Sequence, residues 1–233
     1  MANEEHLQAV KQGAATVNRW QQEHPDTPLD LEGADLSGLN LEGARIRNAN
    51  FRGVNLTGAR LTGASLAGSD LSGANLSEAD LGRIGLTGAN LSGANLSNAN
   101  LFWADLKQSN LEGANLRWAH LMRASFIGAN LEGADLSQAT MIEVDLRSTN
   151  LKGTNFQGSN MNGADLSRAA MAGADFTLAK IRDSMWIMAD MRGANFRQAS
   201  LHRSDLNMAK YDETTRFPDG FDPENTGYKD VMD

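Results

Sequence analysis

The chain has 233 residues, a formal net charge of −8 at pH 7 and no cysteine, and only 6% of its residues are aromatic. The absence of cysteine excludes disulfides, thiolate nucleophiles, iron–sulfur clusters and cysteine-ligated zinc sites. The first residues are acidic and lack a basic region followed by an apolar stretch, and no apolar run approaches the ~18 residues of a membrane helix. We therefore expect a cytoplasmic protein without a membrane partner.

Residues 3–23 have the pattern of an amphipathic helix. Asn3 can cap its first turn, and Pro25 lies just beyond its end. The apolar stripe has a spacing of about 3.5 residues and comprises Leu7, Val10, Ala14, Val17 and Trp20. Such a helix could bind a partner or cover the domain that follows, and the short link after it favours the cover. We assign residues 1–28 to an N-terminal helix and linker that act as a cap.

A period of five dominates the rest of the sequence. From Leu31 to Tyr211, 37 consecutive fifth positions hold Leu, Ile, Met, Phe, Trp or Tyr, without insertion or deletion. The residue two places earlier is Ala at 25 of 36 positions, the residue just before is usually Asn or Asp, and Gly often follows two places later. Neither a helix nor a strand has this period. The chain must turn at the same rate, and Asn, Asp and Gly favour such turns.

The tandem motif Ala-(Asn/Asp)-Leu-Xaa-Gly resembles the pentapeptide-repeat family, whose members are abundant in cyanobacteria. The resemblance covers residues 29–211. It implies an all-β solenoid, namely a right-handed quadrilateral parallel β-helix with about twenty residues per coil. The repeat region would then make about nine coils, capped by the N-terminal α-helix. With strands stacked ~4.8 Å apart, the rod would be about 43 Å long.

Residues twenty positions apart should lie on successive coils of this grid. Phe156, Phe176 and Phe196 then form one ladder in the core. A column of Asn and Asp should run along the same face: Asp35, Asn55, Asn75, Asn95, Asn115, Asp135, Asn155, Asp175 and Asn195. Trp186 occupies a core position in the irregular segment 183–188, and we expect so large a ring to bulge the coil.

Residues 212–233 leave the period of five and contain two prolines. Phe217, Phe221 and Tyr228 could fold back over the last coil. We assign the segment to a C-terminal tail that partly covers the end of the rod.

The sequence offers no convincing catalytic, cofactor or metal site. Among the four histidines, His120 and His202 should lie four coils apart, about 19 Å at the stacking distance, which is too far to share a metal. Carboxylates such as Asp70, Asp135 and Asp165 stand where a hydrogen bond to nearby backbone is expected. A filled core leaves no concave pocket for a substrate. We predict that the protein is not an enzyme.

The charge distribution tests whether the rod imitates DNA. Quinolone-resistance and gyrase-protecting members of the family are thought to do so with an acidic rod. Here residues 30–211 hold 18 acidic against 17 basic side chains, so most of the net charge lies in the two end segments. Duplex DNA carries about one charge per 1.7 Å of its axis. The sequence therefore disfavours a DNA mimic and, lacking a basic stripe, also a nucleic-acid binder.

An apolar group of surface residues is the best candidate for a contact site. Phe102, Met122 and Ile142 should form one outward column, with Trp103 beside it and Trp118 at the preceding corner. Aromatic and methionine side chains are enriched at interface centres. The alternative is that these corner residues only cover one another and stabilise the rod.

The sequence thus predicts a non-enzymatic solenoid that acts in protein interaction or scaffolding, as a monomer or a homodimer. Its protein partner is unknown. A DNA-mimic regulator of gyrase or another topoisomerase is the alternative function.

Overall fold

The structure, a computed structural model, describes residues 2–225. Between Asp30 and Arg216 the chain winds as a right-handed, four-sided parallel β-helix, which confirms the predicted fold. Each side contributes one bridge residue, which pairs in parallel with the residue twenty positions later, from Asp30 with Asn50 up to Asp190 with Lys210. The bridges are isolated, and no longer strand is found within the described residues.

Backbone hydrogen bonds join each coil to the next and close the corners. Leu111 N donates to Asn130 O at 2.7 Å, and Asn130 N donates to Ser109 O at 2.9 Å. At the corner, Ala114 N donates to Leu111 O at 3.0 Å, and the third residue of this turn is Gly113 with a φ of +62°. A positive φ at that place is the requirement of a type II turn, and glycine meets it without steric conflict.

The interior is filled by the large residues of the period and by the small residues two places before them. Nearly all of these side chains are fully buried. Phe156, Phe176 and Phe196 stack with ring centroids 4.7 Å apart and planes within 7° of parallel, which confirms the predicted ladder. Stacked rings contribute beyond the apolar area that they bury.

Trp186 does not bulge the coil, so that prediction is wrong. Its ring is fully buried, and the bridge ladder passes through the neighbouring Met185 without a break. Its Nε1 donates to Ser184 Oγ at 2.9 Å, and its ring meets Phe176 and Phe196 edge-on at 5.7 and 5.6 Å. Serine stands here in place of the usual alanine, and it satisfies an indole N–H that would otherwise be buried without a partner.

The predicted column of Asn and Asp lies on the same side as the phenylalanine ladder. Asn155 Nδ2 donates to Asp135 Oδ1 on the coil before at 3.1 Å, and Asn195 Nδ2 donates to Asp175 Oδ1 at the same distance. Each Oδ1 also accepts a backbone N–H two residues later, as Asp135 does from Ser137 at 3.0 Å. These side chains therefore tie successive coils together and fix the turns.

The N-terminal cap consists of two helices rather than the single helix predicted over residues 3–23. Helix α1 spans Glu4–Lys11 and helix α2 spans Ala14–Glu23, and they are separated at Gly13, which has a φ of +94°. Asn3 caps α1 as predicted, since its Oδ1 accepts from Glu5 N at 2.9 Å. Val10 of α1 and Val17 of α2 both reach the core.

Polar groups of the cap bond to the open edge of the first coil. Asp30 N donates to His6 Nδ1 at 2.9 Å, and Asn3 N donates to Asp30 O at 3.0 Å. Arg45 N donates to Asn18 Oδ1 at 2.6 Å. In later coils the corresponding groups bond to the preceding coil. The cap thus supplies three of the contacts that a further coil would make, and it shields an edge prone to association.

The C-terminal end departs from the twenty-residue register by one residue. Asn195 pairs with Arg216, which is 21 positions later, and Phe217 follows in the aromatic ladder with its ring 5.9 Å from that of Phe196. Phe221 stacks on Phe217 at 5.3 Å, and a short 3-10 helix spans Pro223–Asn225. The third aromatic residue expected there, Tyr228, lies outside the described residues. The proposed division of the chain at residues 28 and 211 remains a prediction.

Among residues 2–225, neither helix of the cap is long and apolar enough to cross a membrane.

Candidate functional site

The five candidate contact residues lie on two neighbouring corners of the mid-rod coils. Trp103 N donates to Met122 O at 3.1 Å, and Arg123 N donates to Ile142 O at 3.0 Å, so the turns containing these residues stack on successive coils. Phe102, Met122 and Ile142 are half-buried in one column. Their side chains leave only part of their apolar area in contact with solvent.

Trp103 packs against its neighbours but remains half-exposed. Its ring lies edge-on to Phe102, with centroids 6.1 Å apart, and the guanidinium of Arg123 lies 5.4 Å from the ring centroid. Arg123 Nε in turn donates to Glu143 Oε2 at 2.6 Å, and this bond raises the pKa of the arginine. Trp103 retains 49% of its accessible area. A charge placed over the ring orients an indole that the fold does not bury.

Trp118 lies at the preceding corner, and 52% of its area is exposed. Among the described residues it has no aromatic ring against it. The side of the coil between the two corners carries His120, whose side chain is also exposed. The structure therefore places Trp118 on the same region of the rod as Phe102, Trp103, Met122 and Ile142, but not in contact with Trp103. We call these five residues the tryptophan patch.

Both tryptophans have a backbone conformation that favours glycine. They occupy the third position of the turn, and their φ values are +57° at Trp103 and +60° at Trp118. A bulky residue rarely adopts a positive φ, because its Cβ then lies close to the following carbonyl oxygen. This contact destabilises the conformation by about 1–2 kcal/mol. The fold therefore offers no reason to prefer tryptophan at these two turns.

Other exposed apolar residues, which the sequence did not single out as contact residues, occupy the same turn position. Leu178, Met188 and Met208 have φ values of +58° to +62° and are all exposed. Their signal in the sequence is a large apolar residue at the place where the repeat usually has Gly. They lie closer to the C-terminal end of the rod than the tryptophan patch does.

The carboxylates considered for acid–base chemistry are held in turns. Asp70 Oδ1 accepts from Ser72 N at 3.0 Å, and Asp165 Oδ1 accepts from Ser167 N at 2.9 Å. At Asp70, burial raises the pKa of the carboxyl, but bonds from Ser72 outweigh it and the pKa is lowered overall. A group held ionised in this way serves the turn rather than proton transfer.

The part of the chain that the structure describes contains no group of three or more His, Cys, Asp or Glu side chains that could hold a metal ion.

Comparison with known families gives one match. The family model described as pentapeptide repeats, in eight copies, matches residues 30–63, 64–101, 99–138, 139–177 and 174–210. Comparison with the sequences of curated proteins gives no match.

Several solved structures resemble the chain. Full-length QnrB1, a plasmid-mediated fluoroquinolone resistance protein, is 22% identical, with 80% of this chain and 92% of that chain covered and a TM-score of 0.65. HetL, a pentapeptide repeat protein involved in heterocyst differentiation regulation in the cyanobacterium Nostoc sp. strain PCC 7120, is 26% identical over 82% of this chain and 92% of its own, with a TM-score of 0.36. The likeness to QnrB1 shows the fold alone.

Proposed function

The chain belongs to the pentapeptide-repeat family, and we propose that it is a non-enzymatic interaction or scaffolding protein that binds a protein partner through the tryptophan patch. The rod supplies a rigid surface on which side chains occupy fixed positions. The patch supplies aromatic and methionine side chains, and Arg123 lies against Trp103; interface centres favour this composition.

The observation that carries this proposal is the pair of half-exposed tryptophans at turns that favour glycine. Each side chain leaves about half of its surface in water. Eighteen non-glycine residues of the described chain have a positive φ, so what sets Trp103 and Trp118 apart is the size of the apolar ring that each leaves exposed. A contact with a partner would bury the two indoles.

The filled interior and the use of the carboxylates in turns support a non-enzymatic role. Large side chains occupy the centre of the rod, and Asp135 and Asp165 each accept a hydrogen bond from the backbone. Acid–base catalysis needs carboxyl groups that are free to contact a substrate, and these two are engaged in turns.

A variant carrying Trp103→Gly and Trp118→Gly tests the proposal. Glycine suits both turns, so we expect the variant to fold with a melting temperature equal to or above that of the wild type. We expect it to lose the partners that the wild type captures from native lysate, and any self-association seen by sedimentation. Met208→Gly is the matched control, because it removes an exposed apolar side chain from the same turn position elsewhere.

Unchanged capture and sedimentation of the double variant would show that the tryptophan patch has only a structural role. A loss of partners in Met208→Gly as large as in the double variant would also contradict the proposal, since it would indicate nonspecific binding by exposed apolar side chains.

A DNA-mimic regulator of gyrase is the alternative, and the charge distribution argues against it. Arginines of the rod pair with carboxylates on neighbouring residues or coils, for example Arg147 with Asp145 at 2.6 Å and Arg203 with Asp183 at 3.1 Å. The surface therefore alternates in sign instead of presenting two acidic strands. A gyrase supercoiling assay separates the two functions, since an interaction solenoid of another kind should leave supercoiling unchanged.

A further inference from the structure

The expectation that a filled core leaves no concave pocket is wrong for the surface of the rod. A cleft near the C-terminal end has two arginines on its wall. Its volume is about 600 Å³, and its lining includes Arg197, Gln198, Arg216 and Asp219. Gln198 lies on the same corner column as Trp118, four coils later, which is about 19 Å along the rod. The cleft is thus separate from the tryptophan patch.

The one-residue shift in register places Arg216 in this cleft. With strict twenty-residue spacing Thr215 would pair with Asn195, but the extra residue brings Arg216 there instead. Its backbone is fixed, since Arg216 N donates to Ala194 O at 2.9 Å and Arg216 O accepts from Phe196 N at 2.6 Å. An arginine therefore stands at the end of the column that Asn and Asp occupy in the earlier coils.

Neither cleft arginine has an ion-pair partner within 4.0 Å among the described residues. Arg147 and Arg192, by contrast, each bond to a carboxylate two residues earlier in the chain. The side chain of Gln198 likewise has no hydrogen-bond partner in residues 2–225. All three side chains are exposed, so their two guanidinium groups and one amide can donate to water or to a ligand in the cleft.

The shape and the donors indicate the chemistry of a ligand. Guanidinium groups match the geometry of phosphate oxygens with paired N–H donors. The cleft is far larger than a single ion, since one water occupies about 30 Å³ in the liquid. The ring of Phe217 is stacked on Phe196 on one side and on Phe221 on the other, so it offers no free face to an aromatic ligand.

We propose that this cleft binds a small, non-aromatic phosphomonoester, whose phosphate is held by Arg197 and Arg216. Gln198 donates to the remaining oxygens. Asp219 repels the anion from the rim, and it therefore limits the affinity rather than contributing to it.

Titration calorimetry of the full-length protein with glycerol 3-phosphate, and separately with inorganic phosphate, tests the proposal at constant ionic strength. We expect saturable binding of the ester. Arg197→Gln and Arg216→Gln should each weaken it about five- to tenfold, the loss of roughly one charged hydrogen bond. Asp219→Asn should strengthen it about threefold, since it removes a like charge from a solvent-exposed site. Circular dichroism checks that every variant is folded.

The matched control is Arg83→Gln, which removes an exposed arginine without an ion-pair partner in the described residues, on another corner of the rod. It should leave binding unchanged. The proposal is overturned by an absence of saturable binding, by an equal loss in the control, or by weaker binding in Asp219→Asn. Binding of inorganic phosphate without the ester would overturn the assignment to a phosphomonoester.

Discussion

At the scale of single residues, the side chains before each core position decide how successive coils are joined. Asn130 shows the full set of bonds: its Nδ2 donates to Asn110 Oδ1 at 3.0 Å, and its Oδ1 accepts from Asn150 Nδ2 at 2.9 Å and from Glu132 N at 3.2 Å. Asparagine both donates to one coil and accepts from the next, whereas aspartate can only accept. Aspartate therefore suits the start of such a ladder, and asparagine suits its interior.

Asn130→Asp should lower the free energy of unfolding by about 1–2 kcal/mol at pH 7, because the ladder loses a donor and two acceptor oxygens then face each other. The measurement is urea unfolding followed by circular dichroism. Asp135→Asn is the matched control: Asp135 already accepts from Asn155, and an amide there gains a donor toward Asn115 on the preceding coil. We expect this control to be neutral or stabilising. Equal destabilisation by both variants would contradict the ladder explanation.

At the scale of elements, the cap acts through a few polar side chains as well as through its apolar face. Asn18 of α2 takes the place of a strand at the edge of the first coil: its Oδ1 accepts from Arg45 N, and its Nδ2 donates to Gly43 O at 3.3 Å. A side-chain amide has the same donor and acceptor as a peptide group. A helix can therefore terminate a ladder without adding a strand.

Asn18→Ala should leave the N–H of Arg45 without a protein partner and destabilise the first coil by about 1 kcal/mol. Hydrogen exchange at Arg45 should then become faster, while exchange at Ser125 in the middle of the rod should not change. Gln22→Ala, an exposed substitution on the same helix, is the control. Faster exchange throughout the rod in Asn18→Ala would show a general loss of stability rather than a local opening.

The features that could not be predicted from the sequence lie mostly at the two ends of the rod. Inside the rod, the period predicts which residues are buried, and the twenty-residue coil implied by the family resemblance predicts which of them stack. At Gly13 the apolar pattern of α1 continues into α2, so the periodicity does not reveal the break between the two helices. At Arg216 the shift by one residue leaves no periodic signal. The accommodation of Trp186 depends on Ser184, one of several residues that replace alanine at this position, and its role becomes visible only with the ring in place.

Some features of the tryptophan patch could likewise be predicted from the sequence, and others could not. Phe102, Met122 and Ile142 could be placed in one column because the register is strict and the family resemblance implies twenty residues per coil. It does not reveal the backbone strain at Trp103 and Trp118, since a positive φ is seen only once the turns are built. A large residue where the repeat has Gly is the available clue.

At the scale of the whole molecule, the response to acid follows from carboxylates that are hydrogen-bonded throughout the rod. Hydrogen bonds from the Arg192 side chain hold the pKa of Asp190 below its usual value, and the backbone N–H of Ser37 does the same for Asp35. A folded-state pKa below the unfolded value gives stability that is present above the unfolded pKa of about 3.9 and is lost as the pH falls through the folded pKa.

The melting temperature should therefore fall as the pH is lowered below about 4. Differential scanning calorimetry across this range measures the effect. Asp190→Asn should melt at a lower temperature than the wild type at pH 7 but lose less on acidification, because the bonded carboxylate is absent. A wild-type curve that remains level down to pH 2 would contradict this account.

The twenty-residue register also couples the length of the rod to the direction in which its side chains face around the axis. Removing twenty residues from the middle would shorten it by one coil, about 4.8 Å, and leave every later side chain facing as before. Removing five would instead rotate everything downstream by a quarter turn, so that the C-terminal cleft would face a different side from Trp118. Short deletions in this chain therefore alter the direction in which its surfaces point. Two surfaces of the rod can bind the same partner only if the number of residues between them is kept.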